Sequence, residues 1–215
     1  MRILIVDDHG IVREGLRSLL ERDSDMEIIG EAEDGLVAVR LAEELKPDIV
    51  IMDITLPRLN GIEATRQILQ VSTTTKVIVL SMHAEGHIVR EALNAGACGY
   101  VLKMNLFDDL SRALHAAATG DVYLSSRITD FVVHDWIRHR THPPERQETE
   151  LSPREREILQ LTAEGKTVKE IAHHLHISIK TCHANRKKLM EKLDVSTVAG
   201  LTKWAIRDGI TSAEF

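Results

Sequence analysis

Asp7, Asp8, Asp53, Ser81 and Lys103 are the residues of this chain whose types and settings can do chemistry. Each closes a short apolar run: Val6 precedes Asp7-Asp8, Met52 precedes Asp53, Leu80 precedes Ser81, and Leu102 precedes Lys103. If those runs are neighbouring parallel strands, the polar groups converge on one small patch at the carboxyl ends of the sheet. Three carboxylates in one pocket repel each other, and their burial is costly unless a cation joins them. An oxygen-only cluster selects a hard ion. Mg²⁺ fits, since it takes few protein ligands, keeps several waters and accepts a phosphate oxygen as partner. An Asp after a strand ordinarily starts a turn or caps a helix. That explains any one of these positions, but not all four strand ends together.

The elements that must position this patch are legible as alternation. Ile3–Val6, Ile49–Met52, Val77–Leu80 and Tyr100–Leu102 are too short for helices and read as buried parallel strands. Glu27–Glu31 is a more polar run, as an edge strand is. Helical spacing of apolar residues fills 10–22, 34–45, 61–71, 85–94 and 106–118. The fold predicted for residues 1–120 is a doubly wound, five-stranded parallel α/β sheet, flavodoxin-like, in the order 2-1-3-4-5. Residues 121–149 read as a linker, with a loop over 121–126, a helix over 127–139 around Phe131, Val132 and Trp136, and a break at Thr141-His142-Pro143-Pro144.

Residues 150–215 read as a small all-α domain of four helices. Ser152, Pro153 and Glu155 make a capping box with proline at the first helical position, and Thr167 with Glu170 makes a second. His176-Ile177-Ser178 is a tight turn, and Ser178 caps a third helix over 179–192, completing a helix-turn-helix with a fourth helix over 197–208. On the third helix Cys182, Leu189 and Leu193 share one stripe. Lys180, His183, Ala184, Lys187 and Glu191 lie opposite, and Lys188 and Lys192 flank that side. Lysines beside a small Ala suit a DNA major groove, although lysines on a helix are by themselves an ordinary solvated face.

Charge divides in the same place. Residues 1–149 hold 16 Lys+Arg against 24 Asp+Glu, and residues 150–215 hold 11 against 9. The whole chain of 215 residues, 43% hydrophobic and 28% charged, has a globular composition that excludes disordered and collagen-like classes. No apolar run approaches the roughly 18 residues that span a bilayer, and the N-terminus lacks a signal-peptide pattern. A cytoplasmic location without membrane contact is expected. Cys98 and Cys182 stand too far apart in sequence for a disulfide framework or zinc motif. Of the eleven histidines, His173 and His174 cannot share a helix face, so they form no i,i+4 metal pair.

With these motifs in place, residues 1–120 resemble the bacterial response-regulator receiver domain. The match is carried by Asp7-Asp8-His9, Asp53, Pro57, Gly61, Ser81 and the run Gly96–Lys103. The resemblance implies that Asp53 is the phosphoacceptor and that the donor is a phosphohistidine on a partner histidine kinase. It also implies that Asp8 and Asp53 bind Mg²⁺ directly, Asp7 mostly through water, and Thr55 through its backbone carbonyl. Ser81 would be drawn toward the phosphoryl group, and Tyr100 would move into the space that Ser81 vacates. The face built by 82–94 and 99–118 would then serve pairing.

Residues 151–210 resemble the LuxR-type DNA-binding domain through Leu151–Glu157, Lys169–Ala172, Leu175–Ser178, Lys192-Leu193 and Ala205–Gly209. By that resemblance His183, Ala184 and Lys187 meet bases, while Lys180, Thr181, Lys188 and Lys192 lie nearer the backbone of double-stranded DNA. Val198, Leu201 and Ala205 would form a dimer contact. Val168, Cys182, His183 and Asn185 depart from the family's usual Asn, Val, Lys and His, so a differently specified or weaker DNA contact is expected.

Together the two parts resemble the NarL/FixJ class of two-component response regulators. The implied function is transcription control, in which phosphorylation of Asp53 switches homodimerisation and DNA binding. The only catalysis implied is Mg²⁺-dependent self-phosphorylation from a phosphodonor. A phosphatase of the haloacid-dehalogenase type would also place an Asp nucleophile after a strand, but it wants a second Asp where Thr55 stands. A third reading is a phosphorylation-independent DNA-binding regulator whose first domain serves for dimerisation. The clustered carboxylates argue against it, since unused they only destabilise.

Overall fold

Ile3 and Ile5 point to one side of their strand and Leu4 and Val6 to the other, and all four are fully buried. A strand buried on both faces needs helices on both faces, and this requirement shapes the first part of the molecule. The computed structural model describes residues 1–141 and 151–211. It divides into two units, Met1–Pro143 and Pro144–Phe215. Residues 142–149 of the predicted linker lie outside the described residues.

The first unit alternates β1 (Arg2–Val6), α1 (Gly10–Leu20), β2 (Glu27–Ala32), α2 (Gly35–Leu45), β3 (Ile49–Asp53), α3 (Gly61–Val71), β4 (Lys76–Ser81), α4 (Gly86–Asn94), β5 (Gly99–Leu102) and α5 (Leu106–Thr119). These are followed by β6 (Tyr123–Leu124) and α6 (Ser126–Thr141). The strands are all parallel, in the order β2-β1-β3-β4-β5-β6. One face packs Leu16, Leu20, Leu110 and Leu114 of α1 and α5 against Ile5, Ile51, Ile78 and Val101. The opposite face carries α2 and α3 over Leu4, Val6, Val50 and Met52, and α4 with α6 over Val79, Tyr100 and Leu102.

The five-stranded sheet expected from sequence is therefore corrected to six strands. Tyr123 and Leu124, read as loop, pair with Gly99 and Tyr100 and extend the sheet beyond β5. Val122-Tyr123-Leu124 is an apolar run as short as Tyr100–Leu102, but Val122 is exposed and only the last two residues pair, at a place set by tertiary position.

The second unit is α7 (Pro153–Ala163), α8 (Val168–His174), α9 (Ile179–Lys192) and α10 (Val198–Arg207). Both expected capping boxes form, at Ser152/Glu155 and Thr167/Glu170, and Ser178 caps α9 through the Thr181 N–H. His176 takes a left-handed conformation in the turn between α8 and α9. The guanidinium of Arg154 donates to the Leu175 carbonyl at 2.5 Å, tying α7 to that turn. The core is built from Leu151, Ile158, Leu159, Ile171, Cys182, Leu189, Leu201 and Ala205.

Candidate functional site

Parallel pairing in register brings the strand ends together. Asp53 closes β3 opposite Leu80, and Ser81 closes β4 opposite Leu102. The loop after Asp53 turns tightly beneath it: the Gly61 N–H donates to Ile54 O at 2.8 Å, and a Cβ on Gly61 would lie 1.9 Å from the Asp53 carbonyl oxygen. Only glycine lets this loop close so near the carboxylate's own backbone.

Asp7 is completely buried and Asp53 is 3% exposed. Lys103 Nζ stands 2.7 Å from Asp53 Oδ2 and 2.7 Å from Asp7 Oδ2, bridging the two. Burial, the largest influence, lifts the Asp53 carboxyl from its ordinary value to about 6; Lys103 pulls it down and Asp7 adds to the lift. Burial opposes the charge on Lys103, but Asp53 and Asp7 outweigh it and hold the ammonium group above the usual lysine value.

Asp7, Asp8, His9 and Asp53 each offer a ligand atom, and these atoms lie within 4.8 Å of one another. His9 Nδ1 is 2.7 Å from Asp8 Oδ1, and the His9 N–H donates to Asp7 Oδ1 at 2.9 Å. His9 directly follows the two aspartates in sequence, and that adjacency is the signal for its place in the cluster. The donor set suits a hard divalent cation on one further count. Asp7 Oδ2 is buried, and Lys103 reaches it as an ion pair but not with hydrogen-bond geometry, which leaves that oxygen able to accept a cation. Thr55, proposed to contribute its carbonyl, is half-buried two residues beyond Asp53.

Ser81 is buried, and its Oγ accepts the His83 N–H at 2.9 Å. The Tyr100 ring is fully buried and its hydroxyl donates to the His83 carbonyl at 2.9 Å while Ser81 still accepts the His83 N–H, so this aromatic is inside without Ser81 having been drawn away, unlike the expected order of the switch. Burial pushes the Tyr100 phenol well above its ordinary value.

In the second unit, α9 buries Cys182 and Leu189 and exposes Lys180, Thr181, His183, Ala184, Lys187 and Lys188, the face read from periodicity. Lys192 differs. Its ammonium lies 2.8 Å from Glu155 Oε2, the carboxylate that also accepts the Ser152 N–H in the capping box. The expected pairing stripe on α10 needs correction. Leu201 and Ala205 are completely buried within this unit's own core, and of the three named residues only Val198 is exposed. Helical periodicity finds an apolar stripe but does not tell which partner covers it.

Two family models match the chain, the response regulator receiver domain over residues 3–115 and the bacterial regulatory proteins of the luxR family over residues 149–205. The transcriptional regulatory protein LiaR of Bacillus subtilis is 40% identical over 212 residues, covering 99% of this chain and 100% of that protein. The nitrate/nitrite response regulator protein NarL of Escherichia coli K12 is 34% identical, covering 97% of this chain and 96% of that one. Among solved structures, RcsB of Salmonella enterica serovar Typhimurium, bound to promoter rprA in the presence of the phosphomimetic BeF3⁻, is similar with a TM-score of 0.67 and 31% identity. That match covers 95% of this chain and 97% of RcsB.

Proposed function

The chain belongs to the response regulators that carry a LuxR-family module, and from that premise we propose that phosphorylation of Asp53 controls DNA binding by its C-terminal unit, and through it transcription. The observation that carries this reading is the bridge from Lys103 to two buried carboxylates, with Asp8 and His9 at its edge. Residues 1–120 act as the phosphoacceptor domain and 150–215 as the DNA-binding domain; of the linker expected over 121–149, residues 121–143 belong to the first unit.

With Oδ2 of Asp53 held by Lys103, its other carboxylate oxygen is the nucleophile. It attacks the phosphorus of a phosphohistidine on a partner histidine kinase; the new P–O bond forms as the P–N bond breaks, and the imidazole leaves with the electron pair. Lys103 offsets charge on the transferring group and the Ser81 hydroxyl donates to one of its oxygens. Mg²⁺, held by Asp8 and Asp53, by Asp7 through water and by the Thr55 carbonyl, would neutralise charge on the phosphoryl oxygens. Ile11, Met82 and Met104, 85%, 72% and 64% exposed, follow Asp8, Ser81 and Lys103 closely in the chain and supply apolar side chains for docking the donor.

The lysine face of α9 is placed as the second helix of a helix-turn-helix, and this supports entry into the major groove of double-stranded DNA. His183, Ala184 and Lys187 would face bases, with Lys180, Thr181 and Lys188 on phosphates. Lys192 reaches a phosphate only by leaving Glu155. A homodimer reads two half-sites, and pairing through α10 uses Val198 and its exposed neighbours, because Leu201 and Ala205 are occupied inside the unit. No helix among the described residues is long and apolar enough to cross a membrane.

The test is to incubate the full chain with Mg²⁺ and a small acyl phosphate, following mass and DNA binding. Wild type should gain one phosphoryl group and bind DNA more tightly, whereas Asp53→Asn should do neither. DNA binding that ignores the modification would favour the phosphorylation-independent regulator.

A further inference from the structure

The segment after α5 touches both arms of the candidate site. One arm is the end of β5. There the Ser125 N–H donates to Tyr100 O at 3.0 Å, and the buried Ser125 hydroxyl accepts the Leu102 N–H at 3.2 Å, one residue before Lys103. That hydroxyl in turn donates to Asp109 Oδ2 at 2.5 Å, while Tyr123 donates to Asp109 Oδ1 at 2.8 Å, so α5 anchors the contact. The other arm is the loop leaving β4. It is held by the Ser81–His83 and Tyr100–His83 hydrogen bonds, and it ends at Gly86, the first residue of α4.

The ring of Phe131 in α6 lies directly on Gly86. A Cβ there would fall 1.5 Å from the ring, and the three nearest atoms to it all belong to Phe131. Between the two arms, Ile128 is fully buried among Ile88, Val89, Tyr100 and Leu102. Ser125, just before α6, and Ile128 in its first turn therefore rest on the β5 end, and Phe131 rests on the β4–α4 loop.

We propose that α6 is a strap that positions both arms of the phosphoacceptor site, and that it lies flat only while the β4–α4 loop keeps the conformation seen here. This rests on Asp53 being the phosphoacceptor. A phosphoryl group on Asp53 offers acceptor oxygens to the Ser81 hydroxyl. Drawing that hydroxyl toward Asp53 stretches its bond to the His83 N–H and shifts the loop that seats Gly86 beneath Phe131. Ser125 and Phe131 are thus positioning residues. Because coupling between two sites is reciprocal, loosening the strap must favour the phosphoryl-bound state.

Gly86 makes this testable. Its φ is not positive, so alanine fits the backbone there, and the three atoms nearest its Cβ all belong to Phe131. In the full chain with Mg²⁺ and fluoroberyllate as the phosphoryl analogue, Phe131→Ala and Gly86→Ala should each raise fluoroberyllate affinity several-fold. The double variant should match the single ones instead of multiplying them, since both remove one contact. Phe131→Leu, which keeps apolar bulk, should fall between wild type and Phe131→Ala and guards against a variant that fails to fold. Hydrogen exchange of the amides in 126–134 should speed up when wild type binds the analogue. If wild type gains a phosphoryl group from acyl phosphate yet exchange over 126–134 is unchanged and the variants bind like wild type, the strap is overturned. If wild type gains none and binds no fluoroberyllate, the phosphoacceptor reading falls first and takes the strap with it.

Discussion

Lys103 and Lys187 carry the same ammonium group, and the two units give it opposite settings. The side chain of Lys103 is 11% exposed and lies 2.7 Å from each of two buried carboxylates. The side chain of Lys187 is 80% exposed and pairs with Glu191, one turn along its own helix, at 3.8 Å. A buried charge trio is strongly coupled, because each member answers for the desolvation of the others. An exposed pair at helical spacing contributes little to stability and leaves its charge available to a polyanion. The first unit therefore carries its chemistry in its internal geometry. The second carries only a presented face, whose meaning is completed by what it binds.

The largest test of this contrast is Lys103→Ala. Without the lysine, Asp7 and Asp53 stay buried together without their cation, and Mg²⁺-free urea unfolding at neutral pH should show a loss of about 3 kcal/mol. Added Mg²⁺ should recover part of that loss. A loss no greater than that of Lys187→Ala would erase the distinction between the units.

Next in size is Asp53→Asn. The folded-state carboxyl is raised to about 6 from 3.8, so the unfolded chain gives up this proton first as pH climbs. The stability linked to the group is fully present below the unfolded value and is lost as pH rises through about 6. Asparagine escapes that loss. In Mg²⁺-free buffer above this range the variant should be more stable than wild type by on the order of 2 kcal/mol, and the two should converge as pH falls toward 4. Unfolding curves at several pH values check this; a difference independent of pH would contradict it.

The smallest effect on stability belongs to α9. Lys187→Ala should change unfolding by no more than about 0.5 kcal/mol. It should nonetheless weaken DNA binding, and if the lysine meets phosphate it should reduce the salt dependence by about one ion. His183→Lys restores a fixed charge and should tighten binding or change site preference. Unchanged affinity and preference in both variants would remove α9 from the interface.

Strands β1, β3, β4 and β5 were legible because each is a run of apolar residues closed by a polar one, and the converging patch followed from their parallel order. Capping boxes at Ser152 and Thr167 were legible because their hydrogen bonds are local. Contacts made across the fold were not. β6 is two residues of a three-residue apolar run bounded by polar neighbours, and Ser125 meets Asp109 from sixteen residues away. Leu201 and Ala205 kept the helical spacing that was read from them, but a stripe looks the same whether a second copy or the helix's own neighbours cover it. Periodicity places Lys192 on the outward face, where it is exposed, but says nothing of its partner Glu155, thirty-seven residues earlier.

That last pairing has a mechanical consequence. One oxygen of Glu155 fastens the backbone at Ser152, where the chain enters α7, and also the far end of α9, at Lys192. A tug on the incoming polypeptide thus arrives at the tip of the lysine-bearing helix after crossing a single atom, with no need to travel through the hydrophobic interior.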